Sequence, residues 1–383
     1  MISLIYIFLT MSIAWMVLQY EKPVSPAENA LRVESIDPHQ IDSIYHYAKI
    51  YPNGTEISVG IVQGNQVHYY GVIRTDDTLY SEVNYQKAFE IGSITKTFTT
   101  TILANKVLAG EIVLEDPVNI YFDFPFKDGI QFTFLELATH TSGLPRLPSD
   151  FTKYAVFNFD NPYKNYTRER LDNYLKNDIK LAYTQGKSHT YSNLGMGLLA
   201  YALQNQSRAT YEDLAFHIIF SKYNMNQSST DKKKVMDVLV QGLDSDGKPT
   251  SNWEQGAMIG AGGIYSTVED MVKYMQAHFD TTDQVLALTR MPFFIMENKT
   301  EMGLGWFIRH RANGDTWYFH NGGTGGYTSS MLFNASKQFG VIILTNISAF
   351  HDDATKIDRL CASLMKTIES LLPSQESEMG PIN

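Results

Sequence analysis

The chain contains one cysteine, Cys361. No internal disulfide can form, and no cluster of cysteine and histidine has the spacing of a zinc site. Covalent staples and structural metals are therefore excluded as the source of stability, and neither a metal nor an organic cofactor is expected. Basic runs are equally scarce, the longest being Lys232 to Lys234. With a formal net charge of -10 at pH 7, the protein offers no field that attracts a polyanion, so nucleic acid is not expected as a partner. Internal repeats and low-complexity tracts are also missing from the long middle of the chain.

What is present is apolar material. Of 383 residues, 44% are hydrophobic and 13% aromatic, enough for a substantial core in one large domain or two. Residues 2–18 are an almost unbroken apolar run, long for a signal-peptide core and slightly short for a membrane span. No solvent face interrupts it, which argues against a core helix. Residues 1–20 are accordingly expected to direct export to a periplasmic or extracellular location. They act either as a cleaved signal peptide, with Ser25-Pro26-Ala27 as a candidate site, or as a retained membrane anchor.

Residues 21–56 read as a polar lead-in with a helix at 39–51 that Pro52-Asn53-Gly54 ends. A catalytic domain is expected over 57–372, with a polar tail at 373–383. Residues 57–62 and 66–73 flank Gln63-Gly64-Asn65 and predict a hairpin. Apolar residues at helical spacing predict a helix at 97–108 that stops at Gly110. From about 117 to 253 the pattern is helical and loop-like, with helices at 193–203 and 211–223. Strands return at 305–310, 316–320, 328–334 and 339–346 as an antiparallel meander, followed by an amphipathic helix at 352–372. The expected fold class is α+β: an antiparallel sheet built from both ends of the chain and flanked by helices, with a mainly helical second lobe and a cleft between the lobes.

Three segments carry chemistry. Ser93 and Lys96, three apart at a predicted helix start, bring a hydroxyl beside an amine where free backbone N–H groups favour an oxyanion. The spacing alone is weak, since it arises by chance about once or twice in a chain of this length; Ser229 and Lys232 repeat it in a stretch that reads as a solvated surface turn. A serine hydroxyl also needs a group to take its proton, which an ammonium of pKa about 10.4 cannot do. Tyr191-Ser192-Asn193 offers one. The tyrosine serves as base if neighbouring cations hold it as phenolate, or relays the proton with Lys96; the Asn193 amide holds a substrate carbonyl or keeps Lys96 in place. The third segment, His320-Asn321-Gly322-Gly323, follows a strand, and its glycines suggest close approach to the backbone, as by a substrate laid along the strand edge.

Together, Ser93-Ile94-Thr95-Lys96, Tyr191-Ser192-Asn193 and His320-Asn321-Gly322 resemble the three active-site elements of the serine β-lactamase and penicillin-binding protein superfamily. The resemblance is to its class C β-lactamase-like branch, which includes D-aminopeptidases and family VIII esterases. LATHTSGLP, GAGGIYSTVEDM and GLGWF also match, and the similarity runs from about 58 to 366. It implies Ser93 as the acylated nucleophile, Lys96 as its proton partner, and Tyr191 as general base and later acid. Asn193 would contact a substrate amide, and the Ser93 and Gly323 N–H groups would form the oxyanion hole.

Where the family usually has Lys-Thr-Gly, this chain has His320-Asn321-Gly322, which replaces a permanent cation and a hydroxyl by an imidazole and an amide. The pull on a substrate carboxylate should be weaker at neutral pH. The resemblance thus implies hydrolysis, through a serine acyl-enzyme, of a β-lactam, an ester or a D-amino-acyl peptide. The alternative is a binding or sensor protein that is acylated, or engages cell-wall peptides, without turnover. His140 is expected to organise a loop beside the cleft. Of two aromatics whose other reading is core packing, Tyr327 is the better candidate for the acyl pocket and Trp306 the weaker.

Overall fold

The computed structural model describes residues 26–33, 36–296 and 300–371; the expectations for residues 1–20 and for the tail at 373–383 lie outside them. Among the described residues no helix is long and apolar enough to cross a membrane. The strands are β1 Glu28–Ala30, β2 Glu56–Gln63, β3 Gln66–Thr75, β4 Thr78–Glu82, β5 Ala88–Glu90, β6 Tyr265–Thr267, β7 Phe294–Ile295, β8 Glu301–Met302, β9 Phe307–His310, β10 Thr316–Gly323, β11 Thr328–Asn334 and β12 Phe339–Thr345.

Ten of them form one sheet in the order β1-β4-β3-β2-β12-β11-β10-β9-β8-β7, while β5 and β6 pair separately. β2 lies antiparallel to β12, with Val59 opposite Ile343, so the two ends of the chain do share one sheet. The β2–β3 hairpin turns at the expected Gly64, and β9 to β12 form the expected meander. The other ladders of this sheet are antiparallel too, except β1 beside β4.

Each face of the sheet is covered. On one face the helices Pro38–Ala48 and Lys356–Leu371 bury Ile41, Ile44, Ile357, Leu360, Leu364 and Ile368 against Val59, Ile61, Val341 and Ile343. The recurrence of Ile357, Leu360, Leu364 and Ile368 at spacings of three and four puts them on one stripe. Each such fully buried side chain contributes about 1.5–3 kcal/mol. The other face carries the larger core, which runs from Ile342 and Leu344 through Val268, Met271 and Val272 into the helical part of the chain.

Two helices at the centre of that core position the site. Thr95–Leu108 begins two residues before the expected start, after a 3-10 turn at Gly92–Ile94. Its five β-branched threonines are poor helix formers, but here four of their hydroxyls reach carbonyls: Thr97 to Ile94, Thr99 to Gly260, Thr100 to Leu304 and Thr101 to Thr97. From Thr95 to Ala104 the helix is buried on all sides, and these hydroxyls are satisfied inside. The second helix, Asn193–Ser207, is capped by Ser192, whose Oγ accepts the Gly195 N–H at 2.8 Å. Within 211–223, the expected single helix is an α-helical turn, Tyr211–Ala215, continued by a π-helical segment, Phe216–Phe220.

Candidate active site

Ser93 enters the site on a turn that only a residue without a side chain permits at the preceding position. Gly92 has φ +50°, and a Cβ there would lie 2.6 Å from the Gly323 nitrogen. The turn closes through Ile94 N–H to the Ile91 carbonyl at 3.3 Å. Lys96, in the first turn of the following helix, is fully buried. Its Nζ stands 2.9 Å from Ser93 Oγ and 2.6 Å from the Ala261 carbonyl oxygen. Burial, reinforced by the positive charge of Arg146, pushes its pKa well below the ordinary lysine range.

Tyr191 is held by its neighbours in sequence. Ser192 donates its N–H to His140 Nδ1 at 3.2 Å and its hydroxyl to the Pro145 carbonyl at 2.7 Å, while Thr190 N–H bonds the His140 carbonyl at 2.8 Å. The Tyr191 ring packs on the His140 ring, with centroids 4.6 Å apart. Lys96 Nζ lies 4.8 Å and the Arg146 guanidinium 5.2 Å from the Tyr191 centroid. Burial drives the phenol well above its ordinary pKa, an effect that the nearby Ser93 hydroxyl and then the Arg146 guanidinium offset only in part. The expectation of a phenolate base fails on this point. The low-pKa group is the amine, and the phenol keeps its proton.

His140 has the loop-organising place expected for it. It is buried, its own φ is +59°, and burial together with nearby Lys96 lowers its pKa far below the usual histidine range.

The strand β10 does not end at His320, as its glycines suggested, but runs on through Gly323. Its glycines serve close approach: a Cβ on Gly322 would lie 2.1 Å from the Ile91 carbonyl oxygen and 2.9 Å from the Ser93 nitrogen. Thr324 N–H bonds Tyr327 O, so the alternation of an antiparallel ladder turns the N–H and C=O of Gly322 toward β11 and those of Asn321 and Gly323 the other way. β9 pairs only with residues 316–319. The Gly323 N–H therefore belongs to an open strand edge beside Ser93, where the oxyanion donor was expected.

His320 is buried; its Nδ1 donates to the Asn321 carbonyl at 2.7 Å, and its Nε2 has no partner among the described residues. Burial and the neighbouring Lys96 lower its pKa to about 3, against that hydrogen bond. The imidazole is neutral. Asn321 faces outward and donates from Nδ2 to Asp358 Oδ2 at 2.8 Å. Asn193 donates from Nδ2 to Tyr163 Oη at 3.0 Å, leaving its buried Oδ1 unpartnered; the bonds of Lys96 go to Ser93 and Ala261, not to this amide.

These groups open on a cleft of about 680 Å³ lined by Ser93, Tyr191, Asn193, Asn321, Gly322 and Gly323, with Lys96 and His320 behind its wall. Tyr327 is not part of it. Its ring is in the core, and its hydroxyl donates to the Val240 carbonyl and accepts from Asn252 Nδ2. Trp306 is likewise core. The repeat of the serine–lysine spacing is not a solvated turn throughout: the three lysines at 232–234 are exposed, but Ser229 is buried, pairs with Tyr265 and donates to Glu212 at 2.7 Å. Among the lining residues that escaped sequence reading are Arg146, Tyr163, Trp253 and Asp358. Only Arg146 had a signal, since it directly follows LATHTSGLP.

Known proteins resemble this chain over most of its length. The family model described as Beta-lactamase matches residues 53–365. A D-alanyl-D-alanine-carboxypeptidase/endopeptidase, AmpH, of Escherichia coli strain K12 is 28% identical over 322 residues, 77% of this chain and 80% of that protein. A beta-lactamase of Pseudomonas fluorescens is 25% identical over 332 residues, 76% and 88% of the respective chains. In fold, the chain matches the crystal structure of a class C beta lactamase from Rhodobacter sphaeroides with a TM-score of 0.70 at 18% identity, covering 87% of this chain and 100% of that one.

Proposed function

The chain belongs to the beta-lactamase family of serine hydrolases, and from that footing we propose that it cleaves an ester or a D-amino-acyl peptide through an acyl-enzyme on Ser93. The observation that carries this reading is the 2.9 Å approach of a buried, low-pKa Lys96 amine to the Ser93 hydroxyl. A neutral amine has one lone pair. It donates to the Ala261 carbonyl and accepts the Ser93 proton as Oγ attacks the substrate carbonyl. The developing oxyanion sits between the Ser93 and Gly323 N–H groups, each such donor being worth about 2.7–4 kcal/mol in the transition state. Tyr191, still a phenol, gives its proton to the departing group and recovers one from the Lys96 ammonium. Water then attacks the ester by the same steps in reverse, which restores Ser93. The unpartnered Asn193 Oδ1 is free to accept an amide N–H of the acyl part.

A neutral His320 argues against β-lactams as preferred substrates. Their carboxylate would find no permanent cation on β10, and the cation that does line the cleft, Arg146, lies beside Tyr191 instead. The apolar run at residues 2–18 supports an exported enzyme.

The test is kcat/KM for aryl esters, D-alanyl peptides and β-lactams, with Ser93→Ala as control. Multiple turnovers of an ester or peptide, lost in Ser93→Ala, are expected. One equivalent of product followed by nothing from every class would instead mark a protein that is acylated without turning over.

A further inference from the structure

One wall of the cleft is aromatic. Phe151, Tyr163, Trp253 and Phe350 all line it. The Tyr163 centroid lies 4.9 Å from that of Phe151 and 5.3 Å from that of Trp253, and Trp253 lies 6.1 Å from Phe350, the spacing at which aromatic rings attract one another. The row passes from two buried rings, Phe151 and Tyr163, through half-buried Trp253 to Phe350, which is 67% exposed. Trp253 is fixed from two sides. Its backbone N–H donates to Glu90 at 2.9 Å, and Gly325 admits the edge of the indole to the loop after β10, where a Cβ would lie 2.6 Å from Nε1. An apolar ring laid on this row takes Phe350 out of water together with its own carbons, which is favourable in proportion to the area covered.

Each end of the row is tied to a group that holds the acyl part of a substrate. Tyr163 Oη accepts from Asn193 Nδ2 at 3.0 Å, so this ring stands beside the Oδ1 left to accept an acyl amide. At the other end Phe350 follows Ala349, which packs on Gly323: a Cβ on that glycine would lie 2.4 Å from the Ala349 Cβ. The row therefore runs along the acyl side, from the amide acceptor to the oxyanion donor. The other two aromatic lining residues, Tyr191 and Phe307, make their ring contacts with His140 and His320 and, among the described residues, with none of these four. Resting on the reading of the cleft above, we propose that the row is an acyl subsite for an aromatic side chain, with Trp253 its specificity residue, so that the preferred acyl group is an N-acylated aromatic D-amino acid. The amide nitrogen bonded to Asn193 Oδ1 is attached directly to the α-carbon of such a group. A side chain that carries its ring on a single methylene then lays that ring on Tyr163 and Trp253.

The test is a series of S-ethyl thioesters, whose leaving group has no ring to compete for the row, with three acyl parts: N-acetyl-D-phenylalanyl, N-acetyl-D-cyclohexylalanyl, which matches it in bulk without π-electrons, and N-acetyl-D-alanyl. In kcat/KM the wild type is expected to favour phenylalanyl over alanyl by about tenfold to a hundredfold, as burial of a large apolar side chain gives. It should favour phenylalanyl over cyclohexylalanyl by about threefold to tenfold, as contact between rings adds. Trp253→Leu should remove the second preference. Phe350→Ala, at an exposed position where folding is not at stake, should cut the first by about threefold or more. A cyclohexyl thioester cleaved as readily as the phenyl one, or a phenyl preference that survives intact in Trp253→Leu, would overturn the proposal. Calorimetric binding of the three N-acetyl-D-amino acid amides to Ser93→Ala separates it from the hydrolase reading. Affinity falling from phenylalanyl through cyclohexylalanyl to alanyl supports the subsite even if no thioester is turned over; binding blind to the ring sinks the subsite even if turnover is brisk.

Discussion

Lys96 Nζ and Ser93 Oγ are 2.9 Å apart, with the Ala261 carbonyl 2.6 Å from the same amine. Both oxygens accept from the amine as placed, and in its neutral form the lone pair is left to take the serine proton. Replacing Lys96 by Met should therefore lower kcat by about 10²- to 10⁴-fold, the usual contribution of a general base. Melting temperature should hold or rise, since a buried amine gives way to an apolar chain of similar length. Thermal denaturation and steady-state kinetics on the same preparation check both halves. A variant that keeps wild-type kcat would remove Lys96 from the chemistry.

Tyr191→Phe preserves the ring that packs on His140 and faces Lys96 and Arg146, and deletes only the proton donor. A fall in kcat of about 10²-fold with KM little changed is expected for a group that acts mainly in the transition state. The loss should be smaller for esters whose leaving group is a good one and needs no proton. An equal loss for good and poor leaving groups would contradict the assignment.

With its pKa lowered to about 3, His320 stays neutral at any ordinary assay pH. The pH profiles of kcat/KM for wild type and His320→Gln between about pH 5 and 8, where histidine titrates, should have one shape and differ in height alone. An inflection near the ordinary histidine value that the glutamine variant abolishes would show instead that the imidazole titrates in the site.

Glu90, three residues before Ser93, accepts the Trp253 N–H at 2.9 Å and is buried. Burial pushes its carboxyl from 4.5 up to about 7, against its hydrogen bonds. Because the folded form holds a proton that the unfolded form releases, this contribution to stability is complete below about pH 4.5 and is lost as pH rises through about 7. Glu90→Gln should flatten that slope, by on the order of 1–3 kcal/mol between pH 5 and 8, in urea unfolding followed at both values. An unchanged slope would show that Glu90 ionises freely.

Much of the fold could be read because period and punctuation agree locally. The β2–β3 hairpin, the meander and the C-terminal helix each combine an apolar period with turn residues at both ends. The readings that failed did so where distant contacts outweigh local preference. Gly322 and Gly323 weaken a strand in isolation, yet β10 runs through them because Ile91 and Ser93 press against that stretch. Tyr327, beside a glycine-rich loop, resembles a cleft residue until the Val240 carbonyl is found at its hydroxyl. That Ser93, Lys96 and Tyr191 lie together was legible through three motifs taken jointly. Which of them carries the proton was not, because burial from every side sets it, and Asp358 reaches the cleft from a helix whose sequence pattern reports only its apolar stripe.

The neutral state of Lys96 is open to direct measurement. In protein labelled with ¹³C at lysine Cε, the Lys96 resonance, assigned by its absence from Lys96→Arg, can be followed through a pH titration. A midpoint well below about 10.4, the ordinary lysine value, is the predicted result. Titration together with the surface lysines would mean that an ammonium faces Ser93, and the proposed proton transfer would be wrong.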